Sequence, residues 1–104
     1  MSLKCEGGFV TRIMFSYADD VGETQLTRQG GDITLGLTQT ADPGDFDVPN
    51  GARIRMYVFV AWGNDNQARQ AFIYDRGNPA TADYVISGTT LNNELGLIGV
   101  HGAK

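Results

Sequence analysis

Apolar residues recur at every second position along most of this chain, which is the period of a strand half buried in a sheet. In residues 9–17, Phe9, Ile13, Phe15 and Tyr17 share one face, opposite Val10, Arg12, Met14 and Ser16. Residues 23–29 read as a short polar strand suited to an edge. Residues 32–38 alternate Ile33, Leu35 and Leu37 with Asp32, Thr34, Gly36 and Thr38, the most regular half-buried pattern in the chain. Residues 52–62 put Ile54, Met56, Val58, Val60 and Trp62 on one face, with Arg53, Arg55, Tyr57 and Phe59 on the other.

Further strands are expected at 69–75 and at 82–91, where Tyr84 and Ile86 alternate with Val85 and Gly88 marks a bulge or kink. A last, glycine-diluted strand is expected at 94–100, entered from a hairpin at Asn92-Asn93. Between these runs lie turn-forming clusters: 18–23, Gly30-Gly31, the loop 41–51, Gly63-Asn64-Asp65-Asn66, and 76–79. The best helical competitor, 64–74, is outweighed by its strand reading. About seven short strands in a chain of this length predict an all-β fold, a single antiparallel β-sandwich, immunoglobulin-like or C2-like in general architecture. The Cys…Trp…Cys signature of true immunoglobulin domains is absent.

Composition narrows the field. At 104 residues, 41% hydrophobic and 19% charged, the chain is expected to form one globular domain with one core, spanning residues 1–104. Eight basic against twelve acidic residues leave a net charge of −4. Such a surface repels phosphate backbones, so no nucleic-acid partner is expected, and passive adhesion to anionic lipid is disfavoured. No run of apolar residues is long enough to cross a membrane as a helix. The single cysteine, Cys5, excludes an intramolecular disulfide. With no visible signal peptide, a soluble protein of a reducing compartment such as the cytoplasm is favoured. The opening Met-Ser-Leu is too short for a targeting segment.

Chemistry-bearing residues are sparse. The stretch ADPGDFDVPN places Asp42, Asp45 and Asp47 close together. Calcium takes six to eight oxygens, and these three carboxylates could supply part of a shell, with Asp65 and Asn64 or Asp19 and Asp20 added from other turns. The spacing fits no EF-hand. The competing expectation, which is favoured, is a β-turn over Asp42-Pro43-Gly44-Asp45 and a solvated bend anchored by Phe46 and Val48. No cofactor is therefore expected, with calcium as the alternative. The sole histidine, His101, and Cys5 could meet only if both ends of the chain share one edge, and no third group is evident to orient them. Glycine pairs 7–8 and 30–31 lack the helix and lysine of a phosphate cradle.

What remains is surface. Arg53, Arg55, Tyr57 and Phe59 form an Arg-plus-aromatic strip, a composition enriched in contact faces. The expected function is thus a non-catalytic binding or interaction module for a protein or carbohydrate ligand. Self-association, if it occurs, is expected through this outer sheet face or an edge strand. One alternative is a calcium-dependent carbohydrate- or membrane-binding domain working through its acidic end loops. A second, from a different class, is a small hydrolase.

Overall fold

A computed structural model describes residues 1–18, 22–77 and 81–101. The expected turn residues 19–21, with Asp19 and Asp20, and 78–79 of the turn at 76–79 lie outside the described residues. Among the described residues, nine strands form two packed sheets, so the chain is an all-β sandwich. They are β1 (Ser2–Cys5), β2 (Thr11–Ala18), β3 (Thr24–Leu26), β4 (Thr38–Thr40), β5 (Arg53–Val60), β6 (Asn66–Gln67), β7 (Phe72–Ile73), β8 (Thr81–Gly88) and β9 (Asn93–His101). One sheet runs β4-β1-β8-β9; the other runs β3-β2-β5-β6, with β7 also paired to β5.

The two longest ladders are those with the clearest alternation. β2 and β5 pair antiparallel from Thr11 opposite Val60 to Tyr17 opposite Ile54. This register stacks Ile13 and Phe15 beside Val58 and Met56 on the inner face. β8 and β9 form the antiparallel hairpin of the other sheet, closed at Gly88 opposite Asn93. Gly88 has φ of 101°, and a Cβ there would lie 2.4 Å from the Asn92 carbonyl oxygen. The kink expected at this glycine is thus a backbone conformation that other residues rarely adopt. Inner-face residues of both sheets merge in one core that includes Leu3, Ile13, Phe15, Met56, Val58, Tyr84 and Ile86.

Four expectations need correction. First, the sandwich is not wholly antiparallel: β1 lies parallel to β8, with Leu3 opposite Tyr84 and Cys5 opposite Ile86. The segment Ser2–Cys5, where the sequence pattern predicts no strand, is an interior strand of its sheet, and Leu3 and Cys5 are fully buried. Second, residues 32–38 are not a continuous strand. Ile33 is buried and bridges to Thr11, but the backbone then turns: the Leu37 N–H donates to the Thr34 carbonyl at 3.0 Å, and Gly36 has φ of 84°. Glycine at the third position of such a turn permits the left-handed conformation. The turn leaves Leu35 and Leu37 64% and 53% exposed. Pairing resumes only at β4.

Third, residues 69–75 contribute only the two-residue β7, though Tyr74 is buried. Fourth, Trp62 is not a core residue: it is 97% exposed. β5 ends at Val60, and the Gly63 N–H closes a turn onto the Val60 carbonyl at 3.3 Å. Trp62 sits in that turn with φ of 63°. The alternation of letters runs on past the point where the ladder stops, so the inward phase no longer applies.

Candidate binding surface

The register of β5 places Arg53, Arg55, Tyr57 and Phe59 on the outer face of their sheet, as the alternation predicts. Opposite them on β2 stand Ser16 by Arg55, Met14 by Tyr57 and Arg12 by Phe59. The strip is graded along its length. Its arginines lie where β5 begins and its aromatics where β5 ends, roughly 20 Å away at about 3.4 Å per residue.

The aromatic end is held firmly. The Arg12 guanidinium lies over the Phe59 ring, 5.6 Å from its centroid. Arg12 is itself fixed by Asp32, Nε to Oδ1 at 2.6 Å, and by Gln29 Oε1 at 2.7 Å. The Tyr57 hydroxyl donates to Asp65 Oδ2 at 2.9 Å, while Asp65 Oδ1 accepts the Val60 N–H at 2.9 Å. One carboxylate therefore ties the loop after β5 back onto the strand. Burial, then the bond to Asp65, pushes the Tyr57 hydroxyl above its ordinary pKa.

Beyond Phe59 the turn carrying Trp62 is braced against the β8–β9 hairpin by asparagines. Asn64 N–H and Nδ2 donate to the Thr90 and Leu91 carbonyls at 2.8 and 2.9 Å. Asn93 Nδ2 donates to the Asn64 carbonyl at 2.8 Å, and Asn66 Nδ2 donates to Asn93 Oδ1 at 2.7 Å. A Cβ on Gly63 would fall 2.0 Å from the Thr90 carbonyl oxygen, so only glycine allows the two loops to come so close. The result is a rigid tip on which Trp62 and Leu91, 97% and 70% exposed, stand together. With Phe59, Asn64 and Asp65 they border a shallow hollow.

Of the predicted strip Arg53, Arg55, Tyr57 and Phe59, only Phe59 borders this hollow, and the alternation gave no sign of an exposed Trp62, of Leu91 beside it or of the asparagine brace. The available signal was local: a tryptophan directly followed by Gly-Asn-Asp-Asn belongs to the turn chemistry rather than to the strand.

The acidic loop lies at the other end of the sandwich. Residues Pro43–Phe46 form one 3-10 turn capped by Asp42, whose Oδ1 accepts the Gly44 N–H at 2.9 Å and the Tyr74 hydroxyl at 2.8 Å. Those two bonds, the backbone one foremost, hold the Asp42 carboxyl below its ordinary pKa. The Asp45 N–H bonds the Asp42 carbonyl at 3.0 Å, and the Asp45 carbonyl accepts from Arg28 at 3.0 Å. Asp47 ends the turn in the left-handed region, φ 64°.

Phe46 and Val48 are buried; Phe46 meets Phe15 edge-on at 5.2 Å and lies under the Arg28 guanidinium at 4.3 Å. Among the described residues, no group of three or more His, Cys, Asp or Glu converges in a way that could hold a metal ion. A concavity of about 360 Å³ opens beside the loop between Ile54, Phe72, Ala82, Asp42, Tyr74 and Arg76. Its Asp42–Tyr74 pair is already satisfied internally.

Cys5 and His101 do not share a corner. Cys5 pairs with Ile86 and His101 with Thr81, five residues apart on β8, or roughly 17 Å. The Cys5 thiol is buried and donates to the Gly7 and Phe9 carbonyls, both at 3.4 Å. Among the described residues, no helix is long and apolar enough to cross a membrane.

Fold and site together define a two-sheet β-sandwich with a braced aromatic tip. No family model, curated protein or solved structure matches the chain.

Proposed function

We propose that the protein is a non-catalytic binding module whose ligand seats on the tip formed by Trp62, Leu91 and Phe59. The observation that carries this reading is Trp62, an almost wholly exposed indole on a turn fixed by several hydrogen bonds. A large aromatic side chain in water forgoes the burial that would otherwise stabilise the fold. Rigid aromatics are also the residues that most often anchor an interface, because little side-chain freedom is lost on contact. The buried Cys5 thiol and its distance from His101 support a non-catalytic reading against the hydrolase alternative.

A carbohydrate is the ligand class favoured by one specific feature: the free indole is bordered by the amide of Asn64 and the carboxylate of Asp65. A flat apolar sugar face can stack on the ring while hydroxyls meet the polar rim. Trp62 is the only tryptophan, so intrinsic fluorescence reports on this site alone. Oligosaccharides of varied composition are titrated with and without calcium while emission is followed. A ligand of this site shifts the emission to the blue and saturates, and Trp62→Ala abolishes its binding by calorimetry. A ligand that binds Trp62→Ala as well as the parent chain refutes the assignment. Saturable binding that requires calcium moves the calcium-dependent reading to the front.

A further inference from the structure

Every sheet here ends in strands, and they are not alike. β3 and β4 are three residues long, and β6 and β7 are two. Such brevity is one of the usual defences against unwanted pairing, since few unpaired backbone groups are offered in a row. β9 is nine residues long and lies at the end of its sheet, with β8 on one side only. Among the described residues its backbone bonds to β8, and beyond that ladder only the Asn93 carbonyl accepts, from Asn66 Nδ2 at 3.3 Å. About half of its residues therefore turn their N–H and C=O groups outward without a strand to receive them.

The side chains do little to guard that edge. The strand reads NELGLIGVH, with no lysine or proline and one acidic residue, Glu94, near its start. Ile98 and Val100, in its second half, are 65% and 50% exposed. Glu94 and the irregularity opposite Asp83 and Tyr84 are the protective devices on the strand itself. Asn66 covers only the first residue, through its bond to Asn93.

We propose that β9 is a strand-addition interface whose occupant is a second copy of this chain, paired antiparallel about a two-fold axis into a continuous eight-stranded sheet. Two observations favour a second copy in this orientation. A two-fold axis lets one edge satisfy another of the same sequence, so each copy supplies what the other lacks. Charge selects the direction: antiparallel pairing sends the two Glu94 carboxylates to opposite ends of the ladder, whereas parallel pairing sets them side by side. Ile98 and Val100 then meet across the new ladder instead of facing water. This surface is separate from the Trp62 tip, so each can fail without the other.

The test is sedimentation equilibrium of the full chain over a concentration series. Mass should rise from 11.2 kDa toward twice that value, 22.4 kDa. Hydrogen exchange should show the outward amides of 94–101 gaining protection as concentration rises. Ile98→Lys places a charge against Val100 of the second copy across the new ladder and should weaken association roughly tenfold or more, with circular dichroism and melting near those of the parent. If that variant does not fold, Val100→Lys serves the same purpose. A chain that stays at 11.2 kDa throughout overturns the proposal. So does a dimer that survives a folded lysine variant with the β9 amides still unprotected, which would also show that another surface is used.

Discussion

Tyr84→Phe should make this protein more stable. Tyr84 is the largest of the fully buried side chains, and among the described residues its hydroxyl has no hydrogen-bond partner. In the unfolded chain that group bonds to water; folding removes the water and returns nothing, at a cost of about 1–3 kcal/mol. Phenylalanine keeps the ring between the sheets and deletes only the orphaned oxygen. The expected gain is about 1–2 kcal/mol at neutral pH, after allowing for the small void left by the oxygen. For a domain of this size that corresponds to a rise of roughly 5–10 °C in Tm.

The pH dependence gives a second, independent sign. Burial raises the Tyr84 pKa from 10.0 to about 12, so the folded state holds this proton more tightly than the unfolded state. The resulting stability is fully present below the unfolded value and is lost as pH rises through the window from 10 to about 12. Tyr84→Phe has nothing to lose there, so its advantage should widen by about 1 kcal/mol by the middle of that window. Tyr57 and Tyr74 are also raised by burial, but both chains carry them and their effect cancels in the difference. Urea unfolding of both chains, at neutral pH and mid-window, reads out both signs. A variant no more stable than the parent at neutral pH, with a gap that ignores pH, would show that the hydroxyl is satisfied by a buried water.

Further perturbations probe the two ends of the sandwich. Trp62→Ala should change folding stability by no more than about 0.5 kcal/mol, since almost nothing packs on the indole, and native emission should be red-shifted and freely quenched; a loss of several kcal/mol would mean that Trp62 is buried after all. At the other end, thermal melts in calcium and in chelator should superimpose for the parent and for Asp45→Asn, whereas Asp42→Ala should lose about 1–2 kcal/mol with its cap and its bond from Tyr74. Because the Asp42 pKa is lowered on folding, its contribution is present above the unfolded value of 3.8 and fades as pH falls below it, so Asp42→Asn should flatten the acid limb of the stability curve. A calcium-dependent rise in Tm that Asp45→Asn removes would instead establish a metal site in the loop.

The parts of this fold that could be read from sequence are those in which pattern and hydrogen bonding coincide. β2, β5 and β8 each run eight residues, long enough for alternating apolar residues to stand out from chance. The edge character of β3 follows from its polarity and the kink at Gly88 from its glycine. The loop at 41–51 was legible because proline, glycine and aspartate each favour a particular turn geometry. Ser2–Cys5 was not legible, because four residues carry too little pattern. Its parallel pairing with β8, some eighty positions away, leaves no local trace.

Two of the misread segments share one physical cause. In 32–38 and in 52–62 the letters keep alternating, yet a residue with positive φ, Gly36 in one and Trp62 in the other, reverses the chain. Alternation reports which way a side chain points only while the backbone stays extended. At Gly36 a glycine offers the left-handed conformation at little cost, and the sequence contains that warning. At Trp62 the conformation is taken by a bulky aromatic residue, which seldom adopts it. What holds it there is non-local: Asn64, Asn66 and Asn93 tie the turn to a hairpin about thirty residues further along the chain. Such strain concentrates where the surrounding structure over-determines the backbone, and often where a side chain is displayed for contact. The least predictable residue in the chain is therefore also the one that the proposed function rests on.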